Sequence, residues 1–235
     1  QQLVQSKQIG TSFFENGRRF SSLQPEKFSA MKLLKLVKRW DFDIFELSKE
    51  VDNTMVATAD CIITMIHNFS GKFNFQRKML LRLLGRIQEA YLENPYHNAL
   101  HGADVLQTLH WIIMYGGVRD ALGVEVLNDR LLFAAMIAAL AHDVGHMGVS
   151  NNFLIKVGHN LAITYNDKSP LECMHSATLF QLMRQDGCNI LEHSNINPAE
   201  RTAMRSIIID MILSTDMKNH AALLNSADTV LEEDT

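Results

Sequence analysis

The feature that most constrains this chain is an apolar run, Ala134-Ala135-Met136-Ile137-Ala138-Ala139-Leu140-Ala141, that ends in His142-Asp143-Val144-Gly145-His146. A run apolar on every side predicts a helix buried all round. Two imidazoles and a carboxylate attached to it are then costly. Each neutral polar group left without a partner in such surroundings costs roughly 2–7 kcal/mol, and an ion costs more. A bound metal ion is the most economical way to satisfy all three. A second group, Tyr96-His97-Asn98-Ala99-Leu100-His101-Gly102-Ala103-Asp104, offers further ligands upstream. His97 and His101 stand four residues apart, as do His142 and His146, so each pair can share one face of a helix. Metal-dependent hydrolysis is the chemistry these residues point to; its rival is a set of core histidines bonded to backbone.

Imidazole and carboxylate donors suit zinc and other borderline divalent ions. A carboxylate has two oxygens to offer, so Asp143 can bridge two ions. A pair of ions a few ångströms apart activates a water and holds a phosphate, the arrangement that phosphoester hydrolysis uses.

Composition narrows the field. With 235 residues, 47% of them hydrophobic and 20% charged, the chain is long and apolar enough for one well-packed domain rather than a disordered segment. Its net charge of −4 carries no basic footprint, so no nucleic-acid partner is expected. Cys61, Cys173 and Cys188 are odd in number and lack CxxC spacing, which fits reduced thiols in a cytoplasmic protein. The longest apolar stretch is too short to span a bilayer and is broken by histidine, so no transmembrane segment is expected. Gln1-Gln2-Leu3-Val4-Gln5 is no signal peptide.

Residues 1–30 read as a polar N-terminal arm containing Gly10, Gly17 and Pro25. Helical spacing begins near Phe28, where Lys32, Lys35, Lys38 and Arg39 make a solvated face. It recurs over 43–59 and 74–92. Asn94-Pro95 opens a helix over 96–115, Gly116-Gly117 ends it, and Asn128-Asp129 can cap the next, which carries the His-Asp group. Further helices are expected over 152–164, 170–186 and 198–214, with a loop at 187–198. No stretch alternates as a strand does, so the reading is all-α, a compact multi-helix bundle.

Tyr96-His97-Asn98-Ala99-Leu100-His101-Gly102-Ala103-Asp104-Val105 closely resembles the first metal motif of class I 3′,5′-cyclic-nucleotide phosphodiesterases, and the stretch from Ala141 to Phe153 resembles the second. The likeness continues through Tyr165-Asn166-Asp167-Lys168-Ser169-Pro170-Leu171-Glu172 and Ile212-Leu213-Ser214-Thr215-Asp216-Met217, and covers about residues 40–226. It implies a metal site at the bottom of a deep pocket, and hydrolysis of a cyclic nucleotide, cAMP or cGMP, to the 5′-monophosphate. By the same likeness His101, His142 and Asp143 bind a first ion, usually zinc. Asp143 bridges to a second, usually magnesium with manganese as an alternative. His146, Glu172 and Thr215 hold the waters around that second ion. His97 resembles the general acid that protonates the leaving O3′, with Glu172 orienting it; Tyr96, Asn151 and Met217 match positions at the nucleotide pocket, and His175 matches a histidine behind the metals.

The resemblance further implies that residues 31–235 make about the N-terminal two thirds of a catalytic domain whose C-terminal part is missing here. In the family a further aspartate ligand, a glutamine that grips the purine and an aromatic that stacks on it come later. After Met217 the acids are Asp228, Glu232, Glu233 and Asp234, in what reads as a polar tail. Arg18-Arg19-Phe20-Ser21 fits a basophilic kinase site, which makes Ser21 a candidate for regulation. Two rival functions are another HD-type metal phosphohydrolase and a non-catalytic regulatory fragment of a phosphodiesterase.

Overall fold

The computed structural model describes residues 29–233, with side chains as far as residue 226. Most of the expected arm, and Ser21 with it, lie outside the described residues. Among those described every regular element is a helix. The chain runs through α1 (Ala30–Leu36), α2 (Ile44–Ser48) and α3 (Thr54–Asp60), which continues as a π-helical stretch, Cys61–Ile66. There follow α4 (Phe69–Lys72), α5 (Arg77–Ala90), α6 (Ala99–Met114), α7 (Val118–Val126) and α8 (Asp129–Ala141). Beyond them come α9 (Asn151–Lys156), α10 (Asn160–Thr164), α11 (Pro170–Met183), α12 (Pro198–Leu213), a 3-10 turn at Met217–Asn219, and α13 (His220–Glu233).

Helix α8 is the axis of the bundle. Each of its residues from Leu132 to Ala141 is buried, as its all-round apolar sequence requires. Asn128 starts it by accepting the N–H groups of Arg130 and Leu131 on Oδ1. The small side chains of α8 let α6 and α12 pack closely on two of its sides, with α3 behind α6 and α11 against α12. Phe69, Phe133, Leu83, Leu106 and Ile62 fill the core between them. Each such side chain contributes about 1.5–3 kcal/mol by leaving water.

Several boundaries differ from the sequence expectation, and two of them matter for the site. The helix does not carry the His-Asp group: α8 stops at Ala141, and His142 is its C-cap. The His142 ring turns back to donate from Nδ1 to Ala139 O at 2.9 Å, and the turn closes at Gly145, whose φ of 77° suits glycine. The group therefore projects from the end of a buried helix instead of lying on its face. In the same way α6 begins at Ala99, because Asn98 takes the cap position and accepts from Leu100 N and His101 N. His97 precedes the helix, so neither histidine pair shares a helix face.

The remaining differences have local causes. The expected helix over 43–59 divides into α2 and α3; the one over 152–164 divides into α9 and α10 at Gly158, which has a φ of 63°. Helix α7 occupies a stretch read as a connection, and α13 one read as a polar tail. No helix of the described residues is long and apolar enough to cross a membrane.

Candidate metal centre and active-site cleft

The end of α8 and the start of α6 bring their histidines to one point. His101 Nε2 lies 3.3 Å from His142 Nε2 and 3.4 Å from Asp143 Oδ2, and His142 Nε2 lies 3.2 Å from the same oxygen. With Nδ1–H given to Ala139 O, the neutral His142 ring has its lone pair on Nε2, where it can take up either a cation or a proton. Lone-pair atoms this close repel unless a cation or proton lies among them. Tetrahedral zinc ligands at about 2.0–2.1 Å stand about 3.3–3.4 Å from one another, which is the spacing of this triangle. The donor set fits a divalent metal.

Asp143 offers its other oxygen on the opposite side, where His175 Nε2 approaches Oδ1 at 3.8 Å. His175 is buried and donates its Nδ1–H to Val144 O at 2.8 Å, so its Nε2 is also a lone pair aimed at Asp143. Asp143, His146 and His175 form a second convergent set. His146 differs in kind: its Nδ1 accepts Gly148 N–H at 2.9 Å, which leaves Nε2 protonated, a donor to water or phosphate and not a ligand.

The electrostatics follow from this packing. Burial alone would raise the Asp143 pKa, but hydrogen bonds from His101 and His142 outweigh it and hold the carboxyl far below the carboxylate range. Burial lowers His142, and the bond to Asp143 overcomes that and raises it. His175 is pushed down by burial to about 4, against the opposing bond to Val144 O and the Asp143 charge. Glu172 is raised, chiefly by burial, against the opposing hydrogen bond from Asn151.

The triangle opens on a cleft of about 1170 Å3 lined by His97, His146, Asn151, Glu172, Thr215 and Met217 as well as the three convergent groups. Most of the residues expected at the site are therefore brought together. Met217 is 74% exposed at the rim. Tyr96 stands apart: its ring packs on His101 at 4.5 Å and lines an adjoining groove of about 540 Å3, with Phe45 and Asp104, rather than the cleft. The carboxylate of Glu172 accepts Asn151 Nδ2 at 2.8 Å, while the His97 ring stacks on His146, centroids 3.9 Å apart.

Other residues hold these groups in place. Asn94 Nδ2 donates to His97 O at 3.1 Å and to His146 O at 2.7 Å, which ties the two motifs across the chain. Tyr91 Oη donates to Leu140 O at 3.0 Å and supports the last turn of α8. Asn94 had a signal in the sequence, its place before Pro95, but nothing local shows that a residue 52 positions away would be its second partner.

Known proteins share this chain's pattern. The family described as 3′5′-cyclic nucleotide phosphodiesterase matches residues 96–235. Over 207 residues the chain is 36% identical to the dual specificity calcium/calmodulin-dependent 3′,5′-cyclic nucleotide phosphodiesterase 1 of Drosophila melanogaster, a match covering 86% of this chain and 24% of that protein. It is 33% identical over 219 residues to the calcium/calmodulin-dependent phosphodiesterase 1B of Bos taurus, covering 92% of this chain and 40% of that one. The crystal structure of the phosphodiesterase domain of Salpingoeca rosetta rhodopsin phosphodiesterase superposes with a TM-score of 0.74 at 32% identity, over 87% of this chain and 59% of that one. The chain thus spans less than half the length of those curated relatives. With the family pattern running through more than half of its residues, both histidine motifs included, the chain belongs to the 3′5′-cyclic nucleotide phosphodiesterase family.

Proposed function

We propose that this chain carries the catalytic machinery for hydrolysing a 3′,5′-cyclic nucleotide, cAMP or cGMP, to its 5′-monophosphate. The observation that carries the reading is the triangle of His101, His142 and Asp143 at 3.2–3.4 Å, set in a cleft beside His97. His101, His142 and Asp143 would hold one divalent ion, zinc, and the free oxygen of Asp143 would reach a second, magnesium or manganese. Bound there, the pair would supply an activated water and neutralise phosphate charge.

The protein's own groups do the rest. His146, with Nε2–H as its donor, Glu172 and Thr215 would hold waters around the second ion. His97 delivers a proton to the departing O3′, and its stacking on His146 restricts the ring to one plane. Asn151 fixes Glu172 and faces the cleft, and Met217 at its rim contacts the nucleotide, while Tyr96 packs over His101 from the adjoining groove. Residues 31–235 form the part of the catalytic domain that contains this machinery. The three cysteines are free, which supports a reducing, cytoplasmic setting. Phosphorylation at Ser21 would add regulation from the arm.

The test is leaving-group dependence. The O3′ alkoxide departs poorly, so His97→Ala in the full-length protein should lower cyclic-nucleotide hydrolysis by about 10²–10⁴-fold with bound metal unchanged. A p-nitrophenyl ester needs little protonation, and the same variant should lose far less on it. His101→Ala should harm both substrates alike. Equal losses for His97→Ala on both would remove it as the general acid. Release of inorganic phosphate or any product other than the 5′-monophosphate would favour the broader HD-type phosphohydrolase reading.

A further inference from the structure

The segment leading into α11 holds an unusual backbone. Asn166, Asp167 and Ser169 have φ of 53°, 59° and 45°, in the left-handed region that L side chains seldom adopt. Such conformations persist where the surroundings over-determine them. At Ser169 the surroundings include Asp216. Ser169 Oγ–H donates to Asp216 Oδ2 at 2.8 Å, Lys218 N–H donates to Oδ1 at 3.1 Å, and Lys218 Nζ pairs with Oδ2 at 3.1 Å. Ser169 and Asp216 are 8% and 7% exposed, so the bond between them is made away from bulk water. Burial opposes the charge on Asp216, and the three donors outweigh it, leaving the carboxyl below its ordinary range. The Lys218 ammonium also keeps this carboxylate from adding net negative charge beside Glu172.

What this bond joins gives it meaning. Ser169 is the N-cap of α11, Pro170 follows it, and Glu172 stands in the first turn. Asp216 adjoins Thr215, whose hydroxyl donates to Ile212 O at 2.7 Å and so is oriented by the last turn of α12. One hydrogen bond between residues 47 apart in sequence therefore fixes the segment bearing Glu172 against the segment bearing Thr215. On the far side Asn151 completes the brace, accepting Leu171 N–H at 2.9 Å while donating to Glu172.

We propose that Ser169, Asp216 and Lys218 form a positioning clamp that sets the spacing of Glu172 and Thr215, and through it the water shell of the second metal ion. None of the three needs to touch a metal or a reacting atom. The inference rests on the role given above to Glu172 and Thr215.

Ser169→Gly isolates the clamp in the full-length protein, because glycine accepts the left-handed backbone without strain while the hydroxyl is lost. Asp216→Asn is the companion variant, keeping the shape and removing the charge. The readouts are thermal unfolding, Mn2+ titration followed by electron paramagnetic resonance, and kcat and KM on cAMP and cGMP. Ser169→Gly should remain folded at the assay temperature, with at most a modest fall in unfolding temperature, and bind the first Mn2+ equally well. Its second Mn2+ should bind about 10–100-fold more weakly and its kcat fall by a similar factor, with KM little changed. Adding Ser169→Gly to Glu172→Ala should cost nothing further, since both act on one water shell. Unchanged second-site affinity and kcat in Ser169→Gly, or losses that add to those of Glu172→Ala, would overturn the clamp. If the unmodified protein binds two Mn2+ but hydrolyses no cyclic nucleotide, the proposed reaction falls, and the Mn2+ titration alone decides the clamp.

Discussion

At the scale of single residues, Asp143 carries more than any other side chain here. One oxygen closes the triangle with His101 and His142, and the other faces His175. Asp143→Ala should therefore abolish tight metal binding and turnover together, a fall of about 10³-fold or more if both ions depend on it. Metal analysis alongside the rate is the check; full stoichiometry with near-normal turnover would refute a shared carboxylate. Asp143→Asn is the milder change, because an amide oxygen can still ligate weakly. The identity of these residues was legible in the sequence, since two imidazoles and a carboxylate at the end of an apolar run need a common partner. Their protonation roles were not. His142 presents a lone pair to the cleft and His146 a donor because one gives Nδ1–H to Ala139 O and the other accepts Gly148 N–H on Nδ1. That distinction depends on backbone position after the helix has ended, which spacing does not encode.

Elements explain both what periodicity found and what it missed. Long helices with a continuous apolar face, α5, α6, α8, α11 and α12, stand close to their expected ranges. Short ones do not, because α2, α9 and α10 are ended by caps and by Gly158 rather than by any change in hydrophobic spacing. The π-helical stretch Cys61–Ile66 has no sequence signature of its own; a widened turn is a response to packing. It precedes His67, whose Nε2 meets His110 Nδ1 of α6 at 3.1 Å. Burial pushes these rings down to about 4 and about 3, with neighbouring Lys72, Arg119 and Lys38 acting the same way and Asp129 opposing. Both rings are neutral in the folded protein, whereas the unfolded chain takes up protons near pH 6.5. The pair's contribution is thus present above that pH and is lost as pH falls from about 6.5 towards 4, by up to about 1.4 kcal/mol per pH unit for each ring. Urea unfolding at pH 7 and pH 5 tests this against a His67→Gln/His110→Gln double variant, whose stability should decline less. Parallel declines would show that other groups control acid stability.

For the whole molecule, the arrangement of apolar surface is the outstanding property. Helix α7 buries none of its residues, and Leu122, Val124 and Val126 are 52%, 61% and 54% exposed. One wall of the cleft is also apolar, with Val105, Leu109 and Ile113 from α6, Leu131 and Ala135 from α8 and Met211 from α12. The Salpingoeca rosetta domain shares this fold but is longer, the common part being 59% of it. Large apolar side chains left this exposed offer surface on which other protein can pack. A 235-residue polypeptide with this sequence, prepared by itself, should consequently self-associate and bind an apolar dye such as anilinonaphthalene sulfonate. Sedimentation velocity across a range of concentrations measures the first property and dye fluorescence the second. Leu122→Ser with Val126→Ser replaces exposed side chains that do not line the cleft, so it should weaken association while leaving metal content unchanged. Polypeptide that stays monomeric and dye-free at high concentration would mean that the apolar wall of the cleft and the face of α7 are closed by the chain itself. Dye binding that persists in a monomeric double variant would instead place the exposed surface in the cleft.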